Sequence, residues 1–245
     1  HEQGATHMAD GYARSSGKVG VALATSGPGA ANMVTGIATA MMDSVPIVCI
    51  TGQVPRPAIG SDAFQEMDIS GAVIPVTKHS YLVMDIKDLA KTIKEAFVIA
   101  RSGRPGPVLV DIPKDLQAEE FDFVYPEEPI MLPGDNPIKN DIDVKSLEEA
   151  AKLIVNAERP VILAGHGILL SGASKEVIEL SEKGDIPLSW TLLGSGAVPA
   201  SHDLNMGMMG MHGEFAANNA IQKADLLIAC GMRFDDRVTG NTKTY

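Results

Sequence analysis

KVGVALATSGPGAANM, from Lys18 to Met33, is the stretch on which the fold reading turns. Lys18 to Thr25 is a short apolar run of strand character, Ser26-Gly27-Pro28-Gly29 is a turn, and Ala30 to Met42 has helical composition built from small residues. Upstream, Ala5 to Ser15 is rich in helix formers and stops at Ser16-Gly17. Downstream, Pro46 to Thr51 (PIVCIT) is a second β-rich run, and Asp85 caps an expected helix to Ala100 with Leu89, Ile93, Ala96, Phe97 and Ala100 at helical spacing. Arg104-Pro105-Gly106-Pro107 turns into a third strand, Val108 to Ile112. Short apolar strands alternating with helices predict a parallel sheet covered on both faces, and the class is α/β.

The alternation fails from Glu119 to Ile142. Pro126, Pro129, Pro133 and Pro137, with Pro113 just upstream and several acids between, give that segment the composition of a domain linker. A second α/β unit follows, with helices expected at Ser146 to Ala157, Ser174 to Lys183 and Ala216 to Lys223. Its strands are expected at Pro160 to Ala164, Pro187 to Leu192 and Asp225 to Cys230. The chain opens at His1-Glu2-Gln3-Gly4 and closes at Lys243-Thr244-Tyr245, and both ends read as cuts through a longer protein.

Composition bounds the function classes. The 245 residues are 45% hydrophobic and 21% charged, which is ordinary for a globular protein with a buried core. A formal net charge of −11 argues against nucleic acid and against an anionic membrane surface as partners. No apolar run approaches the roughly 20 residues of a membrane helix. Cys49 and Cys230 each end an apolar run and read as inert core thiols of a reducing, cytoplasmic compartment (organellar in a eukaryote).

Several motifs admit more than one reading. His1 and His7 flank an HExxx segment, but a zinc helix needs its histidines four apart, where Ala5 stands, so no metal site is read there. Gly11 to Lys18 has five residues between its glycines and Val19 in place of the magnesium-binding hydroxyl, which rejects a phosphate loop. Glu2 taken alone is an acid near a helix start, favoured by the macrodipole. The SGPGA turn either lets backbone approach a ligand or simply joins strand to helix. Phe64-Gln65-Glu66-Met67-Asp68 either lines a pocket or is a solvated loop. The methionines of Met206 to Gly213 (MGMMGMHG) read as core packing, with His212 a hydrogen-bonded structural histidine. Arg233 and Arg237, at a strand end, suit a phosphate or carboxylate unless Asp235 and Asp236 neutralise them.

Taken in order, HEQGATHMADGYAR, TSGPGAANMVTGIATAMMDSVPIV, GQVP, DAFQEMD, GRPGPVLVDIPKD, MGMHG and RFDDRVTG resemble the acetohydroxyacid (acetolactate) synthase catalytic subunits, within the thiamine diphosphate enzyme superfamily. The resemblance implies a pyrimidine-binding domain, incomplete at its start, over residues 1–118, a linker over 119–142, and an incomplete Rossmann-like central domain over 143–245. A C-terminal diphosphate-binding domain with the magnesium ligands is absent; Gly134-Asp135-Asn136 lies in the linker and is no substitute. The implied reaction is decarboxylation of pyruvate on thiamine diphosphate and condensation with a second 2-keto acid, giving 2-acetolactate or 2-aceto-2-hydroxybutyrate. Glu2 becomes the carboxylate that hydrogen-bonds the cofactor's aminopyrimidine and promotes loss of the thiazolium C2 proton, helped by a burial-raised pKa.

By the same resemblance Gly27 and Gly29 approach the reaction centre, and Phe64, Gln65 and Lys114 line the active site across a dimer interface. Met211, His212 and Arg237 match substrate-pocket or flavin-side positions, with Arg237 for the keto acid carboxylate. Arg104, Gly165, Gly167, Thr191, Leu192, Gly231 and Arg233 correspond to contacts of a structural FAD. His166 stands where the family often has glycine. A homodimer or tetramer and a regulatory subunit are implied as partners, and the chain alone is expected to be inactive. Other members of the superfamily, such as a pyruvate oxidase or a 2-keto acid decarboxylase, are the nearest alternatives; RFDDRVTG and FQEMD favour the synthase. A non-catalytic nucleotide-binding module is the alternative of another class, and no GxGxxG follows a strand to support it.

Overall fold

Helix α1 (Glu2–Ser16) begins where the His1 side chain accepts from the Gln3 amide and ends at Gly17, whose φ of 69° is the left-handed stop that glycine supplies freely. The structure is a computed structural model and describes residues 1–132, 143–243 and 245. The chain forms two compact units, His1–Pro137 and Ile138–Tyr245. The segment Gly134-Asp135-Asn136 and the prolines Pro133 and Pro137 lie outside the described residues.

In the first unit, α1 buries Ala9 and Ala13 against β1 (Gly20–Ala24). Gly20 lies so near Ala9 that a methyl group there would overlap the Ala9 carbonyl, so small residues set the spacing of helix and strand. The continuous helix expected over Ala30 to Met42 is instead two: α2 (Pro28–Asn32) and α3 (Val34–Asp43). At the break the Met33 amide bonds back to Ala30 O, tightening the last turn, and the Met33 side chain is wholly buried in the core.

Strand β2 (Ile47–Gln53) follows, then α4 (Ile69–Ala72), β3 (His79–Leu82), α5 (Ile86–Arg101) and β4 (Val108–Pro113). The four strands are parallel in the order β1-β2-β4-β3. β2 and β4 are central and buried on both faces, which is why they read as continuous apolar runs. β1 departs from the two-faced expectation: as an edge strand it buries Gly20, Ala22 and Ala24 and exposes Val21 and Leu23. β3 escapes the sequence reading because HSYL, at the other edge, has half-exposed polar positions. Past β4, residues 119–132 carry no strand, and Lys94 on α5 fastens them, donating to Pro126 O and Glu128 O with its ammonium 5.5 Å over the Tyr125 ring.

The second unit runs α6 (Val144–Asn156), β5 (Pro160–Ala164), α7 (His166–Ser171), α8 (Ser174–Gly184), β6 (Leu188–Trp190), β7 (Asn205–Met208), α9 (Phe215–Lys223), β8 (Leu226–Cys230) and α10 (Asp236–Thr239). Its sheet is parallel in the order β7-β6-β5-β8. Numbered within the unit, that is third, second, first, fourth, the start of a doubly wound order, and it reverses between β5 and β8. The methionine stretch is strand in part: β7 takes Met206 and Met208, Met209 enters the core, and Met211 emerges exposed. Cys49 is buried, which pushes its thiol up to about 12; Cys230 is half-buried and also raised by burial. Among the described residues no helix is long and apolar enough to cross a membrane.

Candidate active site

The carboxyl ends of β1, β2 and β4 gather most of the first unit's expected site residues. Beyond β1 the chain turns at Gly27, with φ 58° and ψ −118°, a conformation that disfavours any side chain. A Cβ there would stand 2.7 Å from Gln65 O, so the turn and the loop carrying Phe64 and Gln65 are pressed together. Gln65 itself has φ 63°, and Phe64 is 90% exposed. At Gly29 a Cβ would meet Thr25 Cγ2 at 2.7 Å and come within 3.5 Å of Glu2 Oε1. Lys114, just past β4, is exposed and donates its backbone amide to Gln53 O at 2.9 Å.

Glu2 is the first residue of α1, and Asn32 Nδ2 donates to its Oε2 at 3.0 Å. Its own backbone N–H, then the Asn32 amide, hold the carboxylate below the usual carboxylate range. This corrects the expected burial-raised acid. In this chain Glu2 is only half-buried, and hydrogen bonds to the ionised form outweigh desolvation.

Behind the strand ends lies a buried polar trio that the sequence reading missed. Asp111 accepts from Thr51 Oγ1 at 2.7 Å on one oxygen and from Gln53 Nε2 at 2.9 Å on the other. Burial, with Asp68 adding to it, lifts the Asp111 carboxyl from its ordinary 3.8 to about 6 against these two donors. The folded chain therefore holds this proton more tightly than the unfolded chain. Its stabilising contribution is full below about 4, falls as pH rises toward 6, and stays flat above. Glu66, Asp115 and Asp225 have lowered values and act oppositely, losing their contribution on acidification below about 4. The expected result is a carboxyl-carbon NMR titration of Asp111 with a midpoint near 6; a midpoint at an ordinary aspartate value contradicts the burial argument.

In the second unit the switch point between β5 and β8 is built from glycine on glycine. The Gly165 amide donates to Cys230 O at 2.9 Å and the Gly167 amide to Gly231 O at 2.8 Å. A Cβ on Gly165 would overlap Gly231 O and Met232, and one on Gly167 would sit 2.7 Å from Gly231 Cα. Gly231 has φ 60°. The close approaches fall at 165 and 167, and position 166 between them carries a side chain: His166 opens α7 half-buried. Thr191 caps the turn after β6 through the Gly194 amide, and Leu192 is exposed beside it.

Arg233 and Arg237 are exposed, with carboxylates of Asp235 and Asp236 at 3.8 Å, and the Asp235 carboxylate is also occupied in capping α10. The acids thus neutralise the arginines only loosely. Met211 N donates to Arg237 O at 2.7 Å, and Arg237 Nη1 lies 3.3 Å from Met211 Sδ, so Met211, the adjoining exposed His212 and Arg237 are brought together.

The model for the "Thiamine pyrophosphate enzyme, N-terminal TPP binding domain" matches residues 1–72, and that for the "Thiamine pyrophosphate enzyme, central domain" matches residues 147–245. The chain belongs to the thiamine pyrophosphate enzyme family. It is 52% identical over 245 residues to the acetolactate synthase large subunit of Corynebacterium glutamicum, covering 100% of this chain and 39% of that protein. It is 51% identical over 249 residues to the probable acetolactate synthase large subunit of Methanocaldococcus jannaschii, covering 100% of this chain and 42% of that protein. An acetolactate synthase of Arthrospira platensis is 52% identical over 98% of this chain and 42% of its own length. The chain thus spans about two-fifths of the length of the curated relatives it matches.

For this thiamine pyrophosphate enzyme chain the two parallel α/β units are the expected fold. Arg104, alone of the expected FAD contacts, belongs to the first unit, where it lies before β4 at the amino end of that strand. Its Nε donates to Ser44 Oγ at 2.7 Å and its Nη2 to the Met41 and Met42 carbonyls, closing the end of α3. Asn32, Thr51, Gln53 and Asp111 are the site-side residues that sequence reading passed over. The signal for Asp111 was an acid inside an otherwise apolar strand, VLVDIP. Among the described residues there is no group of three or more His, Cys, Asp or Glu placed to hold a metal ion.

Proposed function

We propose that this chain is the pyrimidine-side and central part of an acetolactate synthase catalytic subunit. The parent enzyme would join two 2-keto acids, with loss of carbon dioxide, to give 2-acetolactate or 2-aceto-2-hydroxybutyrate for branched-chain amino acid synthesis. The observation that carries the reading is the Glu2 carboxylate held by Asn32 beside Gly29 at the strand ends. It occurs in a chain about half identical to acetolactate synthases along its whole length. Residues 1–118 are read as the pyrimidine-binding domain, 119–142 as linker and 143–245 as the central domain.

Thiamine diphosphate, when bound, supplies the nucleophilic carbon and the electron sink that decarboxylation of a 2-keto acid needs. The residues present fit it: an ionised carboxylate oriented by an amide, beside two glycines that keep backbone bare. Glu2 Oε1, the oxygen that Asn32 leaves untouched, would share a proton with the aminopyrimidine ring nitrogen, and Asn32 keeps the carboxylate turned for that exchange. Phe64, Gln65 and Lys114 line the same strand ends, where they screen and orient substrate. Arg237, with Met211 and His212 beside it, receives the carboxylate of the second keto acid. At the switch point, Gly165, Gly167, Thr191, Leu192, Gly231 and Arg233 suit the run of an FAD kept for structure, and Arg104 braces the end of α3. Magnesium is read as bound by residues outside this chain, and the enzyme as a homodimer or tetramer able to take a regulatory subunit.

The test is product analysis on the longer protein carrying this chain, supplied with pyruvate, thiamine diphosphate, magnesium and FAD. Acetolactate with a bound-flavin spectrum is expected. Acetaldehyde or acetate as the main product would transfer the chain to a decarboxylase or oxidase. Residues 1–245 alone are expected to turn over negligibly, and robust acetolactate formation by them overturns the division of labour proposed for magnesium.

A further inference from the structure

The Asp111, Gln53 and Thr51 trio has no part in the chemistry above, and it is costly. All three side chains are buried within two central strands, Asp111 at 1% exposure, where apolar residues would pack without desolvating a carboxyl. Strand register explains how they meet. Thr51 pairs directly with Asp111 across β2 and β4, and Gln53, two residues on, shares the Thr51 face.

What the trio achieves is visible at Gln53. Its Oε1 accepts from Val54 N at 2.8 Å, and its Nε2 donates both to Asp111 Oδ2 at 2.9 Å and to the Met67 carbonyl at 2.7 Å. A flipped amide would set its oxygen against two acceptors and its N–H group against the Val54 amide, so Asp111, acting with Val54 N and Met67 O, fixes which way the amide faces. Met67 belongs to the loop over residues 60–68. That loop is organised from within by Glu66, which accepts from Gly60 N and Ala63 N, and it leans on Gly27 at Gln65 O. Gln53 ties it to the sheet.

We propose that Asp111 is a positioning residue: it orients the Gln53 amide, and that amide clasps the Met67 carbonyl and holds Phe64 and Gln65 at the strand ends beside Glu2. The bearing of the clasp on catalysis rests on the function proposed above, whereas the clasp itself is a property of this chain's own hydrogen bonds.

Amide hydrogen exchange of the chain, read by mass spectrometry, tests it with Asp111→Asn, Gln53→Glu and the double variant. Gln53→Glu sets carboxylate against carboxylate; Asp111→Asn keeps an oxygen for Gln53 Nε2 only as a neutral, weaker acceptor, with its N–H turned to the Thr51 hydroxyl. The double change restores the strand-to-strand bond with donor and acceptor exchanged, yet leaves no N–H for Met67 O. The loop over residues 60–68 is therefore expected to exchange up to about tenfold faster in Gln53→Glu and in the double variant, the upper range for one lost neutral hydrogen bond, and to speed up by a smaller factor in Asp111→Asn. In the double variant peptides from β2 and β4 regain wild-type protection. A purely sheet-stabilising role predicts that loop and strands recover together, and that outcome overturns the proposal. Loop exchange unchanged in Asp111→Asn, or unchanged in Gln53→Glu, overturns it as well. Should a single variant unfold, the double variant carries the comparison. Acetolactate formation by the longer protein reports on the proposed function separately, so the two ideas can fail independently.

Discussion

Gly165→Ala is expected to unfold or nearly unfold the second unit, at a cost of about 4 kcal/mol or more. The argument is purely steric. Gly165 has φ −106°, which alanine adopts freely, so backbone torsion contributes nothing. The added methyl would land on Gly231 O, Met232 Cα and Met232 Cβ, and two of those three atoms are backbone that cannot swing aside. That backbone is further fixed by the Gly165 to Cys230 and Gly167 to Gly231 hydrogen bonds. A total stability of about 5–15 kcal/mol for a domain leaves little after such a loss. Gly172→Ala is the control: its φ of 70° is strained for alanine, but nothing lies within 4 Å. It should cost about 1–2 kcal/mol. Urea unfolding of the two variants is the measurement, and losses of equal size would show that the crossing at the switch point is looser than described.

The second large effect is on chemistry. In the longer protein, Glu2→Gln should lower turnover by about 10²–10⁴-fold, the range for removing a positioned proton-transfer group, while melting stays close to wild type. Stability is spared because the group is half-exposed and its helix keeps the His1 cap and the Gly17 stop. What remains of the Asn32 contact is an amide–amide hydrogen bond, with the new side chain free to turn its oxygen toward Asn32 Nδ2. A drop in activity accompanied by an equal drop in melting temperature would instead mark Glu2 as a helix-start acid and nothing more.

The parts of the fold legible in the sequence were those whose local pattern matched their burial. β2 and β4 read as apolar runs because both faces are covered, and α5 carried its cap and its stripe together. β3 and β7 were missed for the opposite reason: edge strands with half-exposed residues need no apolar run, and their pairing is a long-range fact. The break at Met33 was invisible because composition distinguishes one helix from two abutting helices poorly.

At the site, the glycines at 27 and 29 stand in the ordered motifs, and those at 165, 167 and 231 follow only from the family resemblance. What the motifs could not say is that Gly165, Gly167 and Gly231 are required by each other's backbone. Asn32 was hidden among small helix residues, and its role appears only once α2 faces Glu2. The expected pKa of Glu2 had the wrong sign because burial was assumed where hydrogen-bond donors were the larger influence.

The most direct measurement of the central claim is exchange of the thiazolium C2 proton of thiamine diphosphate for deuterium, on the longer protein carrying this chain. With Glu2 in place, bound cofactor should exchange far faster than free cofactor. With Glu2→Gln, exchange should slow by about a hundredfold or more, the lower bound for a positioned proton-transfer group, with cofactor still bound. Wild-type exchange rates in the Glu2→Gln protein, with binding intact, would contradict the role assigned to Glu2.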